Sequence, residues 1–158
     1  MTQIHVALVE PEIHWNTGNA GRSCLAAGAQ LHLVGPLGFS LDEARVRRAG
    51  LDYWPLVRPR RWDDWSAFEA ALAGLGAPYL FSAEAERSFW DVRYPSPVTL
   101  IFGRESDGLP RDLRRRYADR LVRIPQASGA VRSLNLSTAV ALALYEVLRQ
   151  RSAGGAED

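Results

Sequence analysis

A chain of 158 residues fits one compact domain and can bury a core without metals or disulfides. All 19 basic residues are arginine, which excludes lysine-dependent chemistry such as a phosphate-loop lysine or a Schiff base, while a formal net charge of +1 is neutral on whether the partner is a polyanion. The single cysteine, Cys24, excludes an internal disulfide and suits a reducing cytoplasmic compartment, and no apolar run approaches the ~20 residues that cross a bilayer, so a soluble, cytoplasmic protein is expected.

QIHVALV (3–9) alternates and is β-branched, reading as a first strand; NTGNAGRSCLAAGA (16–29) reads as a helix begun through Asn and closed near Gly28. LHLVG (31–35) is a second strand and LDEARVRRAGL (41–51) a short polar-faced helix. YWPLVRP (53–59), broken by Pro55, reads as an extended edge segment. WDDWSAFEAALAGLG (62–76) has the acidic start and glycine exit of a helix. PYLFSA (78–83) and PVTLIFG (97–103) are short apolar runs of the kind that buried parallel strands show. RDLRRRYADR (111–120) is a short helix, LVRIP (121–125) a last strand, and a helix from about Leu134 to Arg151 precedes a disordered tail, 152–158.

Strands alternate with helices throughout, so the fold class is α/β, a single domain over 1–151 with a mostly parallel sheet flanked by helices. Ligands in such sheets collect beyond the carboxyl ends of the strands, which places NTGN, SAEA, GRESDGLP and IPQASGAVRSLN on one rim. NTGNAGR suits an anion at a helix N-terminus, but it is not GxGxxG, so a nicotinamide-dependent oxidoreductase is disfavoured. In FGRESDGLP the glycines permit close backbone approach to a ligand, and Glu105 can accept from a hydroxyl, pair with an arginine or cap a turn. The loop before the last helix is long and small-residued, and Ser133, Asn135, Ser137 and Thr138 crowd one helix start with Arg132 beside them, more polar chemistry than capping needs. His5, His14 and His32 have no metal-ligand spacing, and no metal is expected. Cys24 reads as a small buried hydrophobe. Trp15, beside NTGN, is the tryptophan placed to stack on a base.

The segments EPEIHWNTGNAGRSCLAAGAQLHLVGPLGF, RRAGLDYW, LIFGRESDGLP and IPQASGAVRSLNLSTAVALALYEVLRQ, in this order, resemble the SpoU class of SPOUT methyltransferases from about Ile4 to Gln150. Within the class, the short length and RAGLDYW are most similar to the enzymes of the tRNA wobble nucleotide. The resemblance implies transfer of a methyl group from S-adenosyl-L-methionine to the ribose 2′-hydroxyl of the first anticodon nucleotide, a cytidine or uridine, on a tRNA anticodon stem-loop. It further implies a C-terminal deep trefoil knot (SPOUT) and a homodimer paired through the first and last helices. Matched by position, Ala83, Gly103, Ile124 and Ser133 are cofactor-contacting places. Arg22, Glu105, Ser133 and Asn135 correspond to the polar residues of the methyl transfer, and Asn16, Arg22 and Arg132 to RNA contacts. His14 and Trp15 stand where a pair of prolines is common, and Arg104 and Asp107 replace a frequent Pro and basic residue.

Arginine is effectively always protonated. The expectation is therefore that Arg22 stabilises the developing alkoxide or clamps a phosphate, while Glu105 or a water takes the proton. A ribosomal-RNA methyltransferase and a non-catalytic RNA-binding module of the same fold remain the alternatives.

Overall fold

The computed structural model describes residues 2–41 and 52–154. Six strands, β1 (Ile4–Val9), β2 (Gln30–Val34), β3 (Arg60–Trp62), β4 (Ala77–Phe81), β5 (Val98–Phe102) and β6 (Leu121–Val122), form one sheet in the order β3-β2-β1-β5-β4-β6. Every pairing is parallel. The sequence-based α/β reading therefore holds. The two central strands, IHVALV and VTLIF, are buried at every position, which is why they lack a strand's usual polar alternation.

Five α-helices accompany the sheet among the described residues: α1 (His14–Ala27), α2 (Trp54–Val57), α3 (Trp65–Leu72), α4 (Arg111–Arg116) and α5 (Leu136–Gly154). On one face Ile4, Val6 and Leu8 pack with Ala20 and Cys24 of α1 and with Val140, Ala143, Leu144 and Val147 of α5. On the other, Ala7, Val9, Leu80 and Ile101 meet Phe68 and Leu72 of α3 and Leu113 of α4. Buried in the first of these layers, the Cys24 thiol is pushed up to about 12, as fits the small hydrophobe expected there.

Several local expectations need correction. The first helix begins two residues before Asn16, and its N-cap, Ile13, offers no side-chain acceptor; its exit at Gly28 (φ 69) is the expected left-handed cap. YWPLVRP is not extended. Pro55 sits in the first turn of α2, where its missing N–H costs nothing, and the edge strand begins only at Arg60. Trp62 closes that strand, and α3 starts later, with Asp64 accepting from the Ala67 amide at 2.9 Å. The last helix begins at Leu136 and runs to Gly154, so Ser152 to Gly154 are helical rather than tail. The helix read over 41–51, apart from Leu41, and the end of the tail, 155–158, lie outside the described residues.

Among the side chains of β1, β2 and β3, His5 Nδ1 and His32 Nε2 lie 2.9 Å apart, and Trp62 Nε1–H donates to His32 Nδ1 at 3.1 Å. An indole can only donate, so in the neutral pair His32 carries its proton on Nε2 and gives it to His5. Burial, with His5 and Arg60 nearby, lowers His32 to about 3. These are structural histidines, as the lack of ligand spacing suggested.

Candidate active site

The carboxyl ends of β4, β5 and β6 and the β1–α1 connection open onto a cavity of about 600 Å³. This is a ligand-sized volume. The Phe81 and Phe102 rings, both in its lining, stack on each other with centroids 4.6 Å apart. Ala83 follows β4, Gly103 and Glu105 follow β5, and Ile124 follows β6; Arg132, Ser133 and Asn135 come from the loop before α5, and Asn16 from the first turn of α1. Segments separated by over a hundred residues thus meet at one rim, as the parallel sheet required.

The rim is clasped by two carboxylates reaching in opposite directions. Glu105 Oε2 accepts the Glu12 amide at 2.8 Å, and Oε1 accepts the Ile13 amide at 3.2 Å and Asn16 Nδ2–H at 3.4 Å. No acidic residue stands in the first turn of α1 and its N-cap has no acceptor, so Glu105 supplies from another loop the negative charge that a helix N-terminus favours. Glu12 Oε1 in turn accepts the Ser106 amide at 3.0 Å and its hydroxyl at 2.6 Å. Those bonds hold the Glu12 carboxyl below its usual range. Glu12 and Ser106 escaped the sequence reading, in which the only trace of them was an acidic residue just ahead of the helix.

Both oxygens of Glu105 are therefore turned toward amides. That is the geometry of an acceptor that binds the start of α1. Asn16 is 3 % exposed, with Oδ1 accepting from Asn135 Nδ2 at 3.0 Å and Nδ2 directed to Glu105, so its side chain ties three segments together. Asn135 also caps α5, its Oδ1 accepting from the Ser137 amide at 2.9 Å and the Thr138 amide at 3.3 Å. One chain of contacts, Glu105 to Asn16 to Asn135, joins α1, the loop after β5 and the start of α5.

Gly103 has a structural cause as well. A Cβ there would stand 2.1 Å from Gly108 C and Leu109 N, because the loop folds back on itself through paired Arg104–Gly108 backbone bonds. Glycine is needed for the loop's own closure, not only for close approach of a ligand as first read.

Ser133 and Arg132 are exposed at the cavity lip. Of the other arginines that line it, Arg104 pairs with Asp107 at 2.7 Å and Arg114 with Glu84. Arg123 and Arg132 have no side-chain partner among the described residues, leaving two guanidinium groups for an anion. Arg22 is the exception among the expected site residues. It lies outside the cavity of its own chain, exposed on α1, with its guanidinium 5.7 Å from the centroid of the Tyr53 ring. No cluster of His, Cys, Asp and Glu that could hold a metal occurs among the described residues. No helix among them is long and apolar enough to cross a membrane.

Comparison with known proteins gives this geometry a family. A tRNA (cytidine(34)-2′-O)-methyltransferase of Burkholderia ambifaria is 45% identical over 148 residues, covering 92% of this chain and 94% of that protein. A solved structure reported for 2-OH methylation of C/U34 on tRNA is 43% identical with a TM-score of 0.87, covering 96% of this chain and 92% of that one. The SpoU methyltransferase AviRb from Streptomyces viridochromogenes, solved in complex with the cofactor AdoMet, is 27% identical with a TM-score of 0.74, covering 94% of this chain and 57% of the other. The SpoU rRNA Methylase family model matches residues 3–145, and the chain belongs to that family.

Proposed function

We propose that this protein methylates the ribose 2′-hydroxyl of the wobble cytidine or uridine of tRNA, with S-adenosyl-L-methionine as donor. The observation that carries the reading is the convergence of Ala83, Gly103, Glu105, Ile124, Ser133 and Asn135, from separate loops, on one cavity of nucleoside size at the strand ends.

The donor set fits the cofactor. Small residues at Ala83 and Gly103 leave room for a flat heterocycle, the stacked Phe81 and Phe102 offer an apolar floor, and Ser133 and loop backbone groups at Ile124 supply hydrogen bonds. When bound, S-adenosyl-L-methionine supplies an electrophilic methyl group on a sulfonium sulfur. The chain's own part is alignment of the sugar oxygen, worth roughly 7 kcal/mol or more for well-oriented reactants. Ser133 and Asn135 shape the ribose side, and the unpaired Arg123 and Arg132 face the phosphates. The Arg22 guanidinium stabilises negative charge on the 2′-oxygen or its neighbouring phosphate, while a water carries the proton away, because Glu105 is committed to the α1 amides.

This assigns Arg22 to the cavity of a second copy. Its exposed position on α1 supports pairing of two subunits through α1 and α5, each completing the other's site. The same reading includes a C-terminal trefoil knot. Bonds from the connection after β4 to Val122 and Arg123, through the Ser82 and Phe89 amides, and to Gln150 of α5, through the Tyr94 amide and the Val92 carbonyl, support that reading. The reducing cytoplasm, where tRNA is found and Cys24 stays a thiol, is the compartment that fits.

The test is methyl transfer from radiolabelled S-adenosyl-L-methionine to total tRNA, followed by nucleoside mapping. Label in 2′-O-methylcytidine or 2′-O-methyluridine at the wobble position is expected. Label confined to ribosomal RNA, or none on any RNA, overturns the proposal.

A further inference from the structure

We infer that Tyr53 is a positioning residue for methyl transfer: its ring, pinned to α1 by its own hydroxyl, holds the Arg22 guanidinium in the orientation in which it meets the reacting ribose. The inference rests on the methyltransferase reading and on the role given there to Arg22.

Tyr53 caps the start of α2, and its hydroxyl donates to the Gly18 carbonyl at 3.0 Å. In an α-helix that carbonyl also receives the amide of the residue four positions on, which here is Arg22. The Tyr53 ring is thus tied to the same turn of α1 that carries Arg22, with the guanidinium 5.7 Å from its centroid, within the range of cation–π attraction. Burial raises the Tyr53 phenol above its ordinary value, against the pull of the Arg22 charge, so the hydroxyl keeps its proton and donates.

Two glycines make this approach possible. Gly18 and Gly21 are buried, three positions apart on one side of α1, and a Cβ on Gly21 would stand 3.0 Å from Trp54 Cζ3 and 3.1 Å from Val57 Cγ1. Trp54 and Val57 belong to the core, so α2 is fixed against α1, and Tyr53 is fixed with it.

Nothing else among the described residues holds Arg22. Its guanidinium has no carboxylate partner and makes no hydrogen bond there. A long side chain left to itself samples many rotamers, and ordering it before the substrate arrives removes that cost from the reaction. A carboxylate would also hold it, but would occupy its N–H donors and offset its charge. An aromatic face attracts the cation and leaves the donors free for an oxyanion or a phosphate. Tyr53 does not line the cavity, and this contact gives the segment RRAGLDYW, on which the resemblance to the wobble-nucleotide enzymes turned, a task in the reaction.

The experiment measures kcat and KM of the full-length chain on an anticodon stem-loop RNA with cytidine or uridine at the wobble position, for Tyr53→Leu and Tyr53→Phe. Removing the ring should lower kcat roughly five- to tenfold, the scale of a lost cation–π contact, with KM for S-adenosyl-L-methionine unchanged. Tyr53→Phe keeps the ring and should return kcat to within about threefold of the unsubstituted chain. Mixing chains separates positioning from a general defect of folding. Tyr53→Leu mixed with Asn135→Ala should restore about a quarter of full activity, because each mixed dimer joins an intact cavity to an intact Arg22 and Tyr53. Tyr53→Leu mixed with Arg22→Ala should show no gain over Tyr53→Leu alone. An unchanged kcat in Tyr53→Leu overturns the inference, as does no recovery with Asn135→Ala when Arg22→Ala and Asn135→Ala do complement each other. If those two do not complement, the subunit assignment of Arg22 fails, and equal kcat values for the Leu and Phe variants then overturn the inference. If the unsubstituted chain methylates no RNA, the functional reading itself fails.

Discussion

Replacing Glu105 with glutamine separates a chemical role from a structural one. The carboxylate accepts from two backbone amides and from Asn16, and both of its oxygens are used. An amide can keep its oxygen at the Oε1 position, serving Ile13 and Asn16, but its NH₂ then points at the Glu12 N–H. One charge-assisted bond is lost, for which about 1.5–3 kcal/mol is typical, together with about 0.3–1 kcal/mol from removing negative charge at the start of α1. The site is only partly buried, so the low end applies, about 2 kcal/mol. For a chain of this size each kcal/mol moves the melting temperature by roughly 2–4 °C, giving a drop of roughly 4–8 °C in a thermal melt. Activity should fall along with stability and with affinity for S-adenosyl-L-methionine, since the Asn16–Asn135 contact loses its anchor. The reasoning is refuted if Glu105→Gln melts within a degree of the unsubstituted chain and binds the cofactor normally yet transfers no methyl group. That result would return Glu105 to the role of proton acceptor.

Gly103→Ala drives a Cβ into backbone with no side chain able to yield, so a loss of about 3 kcal/mol, the upper end for overpacking, is expected in chemical denaturation. Unchanged stability would mean that the loop opens freely. Arg22→Ala and Asn135→Ala chains should each be inactive alone, yet random pairing of the two should restore about a quarter of full activity, since half the dimers are mixed and each mixed dimer has one intact site. No recovery would place Arg22 in its own chain's cavity. Acid should weaken the fold through His32, whose folded form resists protonation down to about 3. The unfolded chain takes up that proton below about pH 6.5, so this stability is complete above that pH and declines as pH falls, by about 1.4 kcal/mol per unit and about 2 kcal/mol between pH 7 and pH 5. His5, also lowered by burial, acts in the same direction. His32→Phe should flatten the dependence, and equal slopes by denaturant titration at the two pH values would discount the histidine pair.

What the sequence made legible was set by periodicity and by the strand-end rule. The order of strands and helices, the buried central strands and the gathering of four loops at one rim all follow from local patterns plus the direction of a parallel sheet. What stayed hidden depends on contacts between distant residues. Glu105 and Glu12 are 93 positions apart, and no pattern near either one signals that Glu105 accepts the Glu12 amide while Glu12 accepts that of Ser106. Asn16 looked like a helix cap because asparagine before an apolar run usually is one; the cap came from elsewhere, and the helix began earlier. YWPLVRP misled because Pro55 excludes a strand interior and a first helical turn accepts it equally well, and only the packing of Trp54 and Val57 into the core decides between edge and turn.

The contacts of α1 then explain why so many polar groups cluster where one cap would do. The helix is gripped at its N-terminus by the loop after β5, its inner face carries Asn16 into contact with the start of α5, and its outer face presents Trp15, Asn19 and Arg22. The cavity loops and the outer row of α1 are therefore mounted on one rod. Two of the polar links act directly on that rod, through Glu105 and Asn135, and a third, Glu12 to Ser106, locks the loops that hold it. Shifting any of them tilts α1 relative to the cavity, and misplacement of about 1 Å is enough to cost a reaction that depends on alignment about a hundredfold. Substitutions at Glu12 or Ser106, which line up with no chemical step, should therefore lower kcat for methyl transfer more than they weaken cofactor binding. The opposite ranking would show that the clasp serves the cofactor alone.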